Sequence, residues 1–326
     1  MTAPAPTAAG PGPAAVPDGH WEPAPGTAVR GTVVLLPGRG EHPGVYARFG
    51  RRLAFDGYRL LVPATAGPSP ADPRHDAPSG TEPTDRQNSG SGVGHGDGSD
   101  SGPGSAYAAR AHRPGASRSP APTDRHVPVP AGVASGRAAA VFARARAEQA
   151  GGGPVVLAGS DLGALLALVL AEAVRPDGLL LGGLPGGGAS DWTGDELSAR
   201  TACPVHRGLL AADPAFRPGA LLDPVPAALA AAAAESRPAV PVLAFHGLAD
   251  PVAPVGALRE LAVRLPFVDA VVVADGRHDV FNDAAHRSVA ARTVLWLEQL
   301  RAGLDRPPAP PHLLTPLTPD PAAAPV

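Results

Sequence analysis

The stretch Val155-Val-Leu-Ala-Gly-Ser-Asp-Leu-Gly-Ala164 decides how this chain is read. An apolar, β-rich run enters a Gly-x-x-x-Gly turn, and the mostly apolar residues from Ala164 to Ala173 leave it as a helix. A strand–turn–helix that exposes its central side chain needs small residues two before and two after it, because the backbone there is crowded. Gly159 and Gly163 occupy those places, so the central residue is Asp161. Centring the turn on Ser160 would put Ala158 and Leu162 at the flanks, and leucine is too bulky. A carboxylate therefore stands where such turns usually carry a serine.

Two later segments extend the pattern. Pro241-Val-Leu-Ala-Phe-His-Gly-Leu-Ala-Asp250-Pro-Val-Ala-Pro254 reads as a buried strand followed by a loop that carries an acid. Val268-Asp-Ala-Val-Val-Val-Ala-Asp-Gly-Arg-His278 reads as another strand and a loop that delivers a histidine. A helix is expected to start near Asn282-Asp283, good capping residues, and to run towards Leu300. The order nucleophile, acid, histidine is that of an α/β-hydrolase. Upstream, Gly31-Thr-Val-Val-Leu-Leu-Pro-Gly-Arg-Gly-Glu-His-Pro-Gly-Val-Tyr46 is followed by Leu53-Ala-Phe-Asp-Gly-Tyr58. These residues resemble the start of the monoacylglycerol lipase and lysophospholipase-like branch, where a strand leads to His-Gly-x-Gly-Glu-His, a helix and a Gly-Tyr. The resemblance spans most of 30–64 and 137–302. Pro37 replaces the usual histidine and Asp161 the usual serine.

The resemblance implies an α/β-hydrolase fold over 28–302: a mostly parallel sheet with helices on both faces and a small cap at 185–238. In that scaffold Asp161 stands at the elbow, His278 faces it, and Asp250 holds the imidazole in one tautomer. The backbone N–H groups of Leu162 and Arg39 form the oxyanion hole. Blander readings compete: Asp250 as a helix cap and His278 as an ordinary loop residue. The order of motifs favours chemistry for both. Asp275 and Asp279 are expected to be solvated loop acids, and His246 a structural residue at a strand end. Glu41 and His42 are expected near the oxyanion hole without a chemical step of their own.

Composition fits one such domain with appendages. The chain has 326 residues, with 42 Pro and 40 Gly. It contains neither Lys nor Ile, the codon bias of a GC-rich genome, so every strongly basic residue is Arg. A net charge of −3 leaves no nucleic-acid footprint. The single cysteine, Cys203, excludes an intramolecular disulfide. Cys203-Pro-Val-His206 is too small a set to hold zinc and is expected to be structural. No cofactor or metal is expected. No segment is long and apolar enough to span a membrane, and the first residues lack a secretory pattern, so the expected location is cytoplasmic. Pro/Ala-rich tails are expected at 1–27 and 303–326, and a Gly/Ser/Pro/Asp-rich insert at 65–131, all too poor in large apolar groups to order themselves. Its histidines, His75, His95, His112 and His126, are expected to be solvated.

An aspartate at the elbow changes the chemistry. Its attack on an ester gives a high-energy anhydride, whereas displacement at saturated carbon gives an alkyl-enzyme ester that His-activated water can cleave. Dehalogenases and epoxide hydrolases of this fold work that way, with a Trp after the nucleophile or lid tyrosines. Here position 162 is Leu, and only Trp192 is available in the cap. Three readings remain: a hydrolase acting on a small apolar substrate, ester-like or alkyl, through Asp161, His278 and Asp250; a cofactor-free Asp–His general base; and an inactive binding protein. The oligomeric state is not legible. Replacing 68–130 by a short Gly/Ser linker is expected to leave a cooperatively folded protein, because loop-closure entropy depends weakly on length. Circular dichroism and thermal melts check this, and an aggregated product refutes it.

Overall fold

The runs of Val and Leu that punctuate the sequence become the centre of a twisted sheet. The computed structural model describes residues 18–64, 133–149, 152–186 and 192–303. The insert at 65–131 and the tail beyond Gly303 lie outside the described residues. In chain order the elements are β1 (Gly19–Trp21), β2 (Gly31–Leu36), a short 3-10 turn (Pro43–Tyr46), α1 (Ala47–Phe55), β3 (Tyr58–Val62) and α2 (Val133–Glu148). Next come β4 (Val155–Ser160), α3 (Leu162–Val174), β5 (Gly178–Gly182), α4 (Glu196–Arg200), α5 (Pro204–Ala212) and α6 (Ala227–Glu235). The chain closes with β6 (Val242–Gly247), α7 (Gly256–Arg264), β7 (Val268–Val273) and α8 (His286–Gly303). The strand order is β1-β3-β2-β4-β5-β6-β7. Every neighbouring pair is parallel except β1 with β3.

Both faces of the sheet are covered, which is why the central strands are apolar throughout instead of alternating. Val33 and Leu35 pack beneath α1 and α8, with Phe49, Leu53, Trp296 and Leu300. Val34 and Leu36 point the other way, into Phe142 of α2, Leu165 and Leu168 of α3 and Leu258 of α7. Each such side chain, fully buried, contributes roughly 1.5–3 kcal/mol. Helices α4 to α6 lie between β5 and β6 in the chain; of the cap expected at 185–238, α6 instead packs on α3, with Ala233 in the apolar cluster of Leu165 and Leu168, and the segment before it is termed the cap. Among the described residues no helix is long and apolar enough to cross a membrane.

Two expectations need correction. The tail expected at 1–27 contains β1: Gly19 pairs with Val62 and Trp21 with Leu60 on the edge of the sheet. The Trp21 indole lies so close to Gly50 that a Cβ there would sit 2.4 Å from its ring. Three residues are too few to show alternation, so composition alone read as tail. Second, α8 starts at His286, and Asn282 and Asp283 are buried instead of capping it. The Asp283 carboxylate accepts from Thr201 Oγ1 at 2.9 Å, the Ala202 amide at 2.6 Å and the Arg277 amide at 2.7 Å. It ties the cap to the loop after β7.

The parallel strands bring their carboxyl ends to one edge, where such sheets place ligands. The turn after β4 is as crowded as its glycines imply. A Cβ on Gly163 would lie 2.1 Å from the Leu36 carbonyl oxygen, and one on Gly159 would lie 2.1 Å from the Gly163 carbonyl oxygen. Backbone cannot yield there as a flexible side chain would. Gly163→Ala is therefore expected to cost about 3 kcal/mol or more, the upper range for overpacking. Urea denaturation measures it; a loss within experimental scatter would contradict the crowding.

Candidate active site

Asp161 joins β4 to α3 at φ 50 and ψ −122, outside the regions that L-residues ordinarily populate. Such strain costs on the order of 1–3 kcal/mol and persists only where surrounding structure enforces it. The Asp161 amide donates to the Gly182 carbonyl at 3.0 Å, and its carbonyl accepts from Ala164 N at 3.0 Å. Leu162, expected as the second oxyanion donor, follows as the first residue of α3.

The loops after β2, β6 and β7 converge on this side chain. The Ala249 amide donates to the Gly276 carbonyl at 3.0 Å, which locks the acid loop against the histidine loop. Asp250 Oδ2 lies 2.8 Å from His278 Nδ1, and its Oδ1 accepts from the Val252 and Ala253 amides at 2.8 and 3.1 Å. His278 Nε2 lies 3.3 Å from Asp161 Oδ1. That contact is an ion pair without hydrogen-bond alignment, and Nε2 is buried without a bonding partner. Asp161, Asp250 and His278 are thus brought together, with side chains 1–2% exposed.

Arg39, singled out in the sequence for its amide alone, contributes more. Its N–H donates to Asp161 Oδ2 at 2.9 Å. Its guanidinium also grips Asp161 in a fork, Nε to Oδ2 at 2.8 Å and Nη2 to Oδ1 at 2.8 Å. Nη1 donates to the cap carbonyls of Leu221 and Asp223 at 3.1 and 2.6 Å. A bidentate, water-excluded arginine–carboxylate pair is the strong form of this interaction.

A second ring of buried charge supports the first. Arg200 is fully buried; it donates to Glu196 at 2.7 Å, to Glu41 at 3.1 Å and to the Arg39 carbonyl at 2.5 Å, and it lies over the Phe216 ring. Glu41 accepts from the Gly38 amide at 2.9 Å and from the Tyr46 hydroxyl, so it shapes the loop after β2. Asp279 is not a solvated acid: it is 1% exposed and lies 2.9 Å from His206 Nε2 of the cap. Asp275 is exposed. His246 is buried at the strand end, with Nε2 3.0 Å from the Ala253 carbonyl. Trp192 packs near Ala199, Leu221 and Val252. Cys203 is buried beside Arg48, and among the described residues no cluster of His, Cys, Asp or Glu could hold a metal.

No protein-family profile and no curated protein matches the sequence. Solved structures do. A monoacylglycerol lipase of Paleococcus ferrophilus aligns over 87% of this chain and 98% of its own, at 15% identity and a TM-score of 0.55. A soluble variant of monoglyceride lipase from Saccharomyces cerevisiae aligns over 87% and 91%, at 15% identity and a TM-score of 0.56. The fold is that of the α/β-hydrolases. Within it, Asp161, Asp250 and His278 come from the segments after β4, β6 and β7, in that chain order.

Electrostatics define the resting state. Burial raises the Asp161 pKa, but His278 and Arg39 more than offset it and hold the carboxyl well below the usual range. Burial lowers the His278 pKa, but the charge of Asp250 and the carboxylate of Asp161 raise it to about 10. At neutral pH the centre is therefore two carboxylates balanced by two cations. Because the folded-state His278 pKa lies above its ordinary 6.5, its stabilising contribution is complete below pH 6.5 and is lost as pH rises through about 10. The stability difference between the parent and His278→Gln should narrow across that window by up to about 1.4 kcal/mol per pH unit. Denaturant titrations at several pH values check the slope; a pH-independent difference contradicts the charged imidazole.

Proposed function

We propose that this chain is a hydrolase that uses Asp161 as a nucleophile on saturated carbon, with His278 and Asp250 completing turnover on a small-molecule substrate. One observation carries the reading: besides the Arg39 guanidinium that holds both oxygens of Asp161, each oxygen meets a further group of its own. Oδ2 rests on the Arg39 amide, and Oδ1 faces His278 Nε2, which has no bonding partner of its own. A carboxylate nucleophile needs to be ionised, and the depressed pKa of Asp161 keeps it so. The neighbouring structures are described as lipases, which supports hydrolysis as the reaction type.

In the first step Oδ1 bonds to carbon and the leaving group departs with the bonding pair, giving an ester on Asp161. That ester carries no charge. His278 then loses one of the two carboxylates that hold its proton, so its pKa falls and it can release the proton and become a base. Neutral His278 takes a proton from water as the water attacks Cγ of Asp161. The developing oxyanion is the former Oδ2, already on the Arg39 N–H at 2.9 Å. Collapse breaks the bond between Cγ and the alkyl oxygen, and the alcohol leaves with the proton from His278.

A direct general-base mechanism fits less well. Asp161 is too weak a base with its lowered pKa, and the imidazole already carries its proton. The inactive binding-protein reading draws on the same closed, neutral quartet, and one experiment separates them. His278→Gln should still be alkylated by a haloalkane or epoxide but fail to hydrolyse the ester, so intact-mass spectrometry should find an adduct on the peptide containing Asp161. The parent, turning over in ¹⁸O-water, should carry label into Asp161. Absence of both adduct and label across a panel of alkyl halides, epoxides and esters leaves the binding-protein reading standing.

A further inference from the structure

A cavity of about 410 Å³ lies between α1 and α8 and shares no lining residue with the site around Asp161. Its charge has one sign. Arg48, Arg51 and Arg52 line it from α1 and Arg287 from the first turn of α8, and among the described residues no acid lines it. Arg52 has a counter-ion in Asp56 at 2.8 Å. Asp283, just before α8, has both oxygens engaged by Thr201, Ala202 and Arg277. Arg51 and Arg287 are exposed and make no hydrogen bond or ion pair among the described residues.

Three features of this cavity are unfavourable as they stand. Arg48, Arg51 and Arg52 sit at i, i+3 and i+4, on one face of α1, where like charges repel. Helix α8 opens on His286-Arg287 with no acid in its first turn, although a helix N-terminus favours negative charge. Arg48 Nε is buried without a bonding partner, while Nη1 is spent on Cys203 Sγ at 3.5 Å and Nη2 on the Asn282 carbonyl. A buried donor left unpaired calls for an acceptor. An anion seated among these groups relieves all three.

We propose that this cavity is a second ligand site, which binds a small phosphate monoester through the arginines of α1 and α8. A phosphate is close to dianionic above neutral pH and offers three strong acceptor oxygens, so guanidiniums from two helices can share it. A carboxylate has two oxygens and fills a single fork. The rest of the lining fixes the organic part. Phe49 and Phe281, with ring centroids 5.0 Å apart, and Ala290 supply apolar wall beside the cations. The volume is that of a small-molecule site, and an apolar wall with a few convergent polar groups is how such sites are built. The ligand is therefore a phosphate on a compact apolar or aromatic group. Arg48 joins this site to the loop that carries His278, since its Nη2 holds the Asn282 carbonyl and Asn282 Nδ2 donates to Asp279.

The test uses the full chain and reads binding, so its result does not depend on the reaction proposed above. Phenyl phosphate, titrated by calorimetry at about pH 8 and about 0.15 M salt, should bind with a Kd of about 1 mM or tighter. Benzoate and benzyl alcohol should bind at least about tenfold more weakly, because they lack the third oxygen and the charge. Inorganic phosphate should also bind more weakly than the phenyl ester, since it leaves the aromatic wall unfilled. The double variant Arg51→Gln/Arg287→Gln removes two exposed side chains without partners, so it should melt with the parent yet bind phenyl phosphate at least about tenfold more weakly. If the double variant melts early, Arg287→Gln alone carries the same comparison. Sedimentation with phosphatidylglycerol vesicles separates a soluble ester from a lipid headgroup, and the chain should stay in the supernatant. Four results overturn the proposal: no binding of phenyl phosphate, equal binding of benzoate, equal binding by parent and variant, or vesicle binding that the variant loses.

Discussion

The pairing of Arg39 with Asp161 is the constraint on which the rest of the centre depends. An isolated carboxylate at 1% exposure would surrender its charge to burial. Here a bidentate guanidinium, a backbone amide and an imidazolium hold it ionised. Arg39 in turn needs acceptors for its remaining edge, and it finds them in the carbonyls of Leu221 and Asp223, which belong to the cap. The cap segment is held by Arg200 and Glu196: Glu196 accepts from the Gly219 amide, and Arg200 donates to the Arg39 carbonyl. One charge at the elbow thereby organises a dry, layered network from strand end to cap.

The aspartate at 161 and the arginine at 39 explain each other. A serine at the elbow is neutral and asks for no counter-ion. An aspartate adds a negative charge beside Asp250, and two uncompensated carboxylates would drive a proton onto one of them. Arg39 occupies the variable position of the Gly-x-Gly loop, the place nearest the elbow whose backbone already faces Oδ2. It supplies the missing positive charge without disturbing the glycines around it. Gly38 and Gly40 remain, and both are needed: a Cβ at Gly38 would lie 3.0 Å from Asp161 Cβ, and one at Gly40 would lie 2.5 Å from the Arg217 carbonyl. Charge balance and loop geometry are thus met by one substitution at 39.

How much of this was legible in the sequence follows from how local each signal is. α3, β6 and β7 fall where apolar runs and turn residues put them, because strand and helix formation depend on near neighbours. The elbow was legible because the crowding of a Gly-x-x-x-Gly turn is a local property. The guanidinium fork was not: Arg39 and Asp161 are 122 residues apart, and Arg39 reaches the cap across more than 180. Asp279 looked solvated for the same reason, since its partner His206 lies 73 residues earlier, in the cap. Motif order predicts which backbones meet; it does not predict which long side chains reach across the gap.

Arg39 also joins two events that are separate in a serine enzyme. A serine elbow under a closed cap is reactive once a substrate enters. Here Oδ1 is covered by Nη2 and flanked by His278 Nε2, while the same guanidinium is fastened to the cap through Nη1. Any path that exposes Oδ1 must rotate the guanidinium, displace it with another anion, or lift the cap segment that anchors it. Lifting the cap removes two of its acceptors and strengthens its hold on Asp161, the opposite of activation. Opening alone therefore leaves Asp161 covered, and uncovering Oδ1 takes rotation of the guanidinium or a ligand that competes for its Nε/Nη2 edge. The fork ties exposure of Oδ1 to what the guanidinium holds as well as to whether the segment that anchors it is in place.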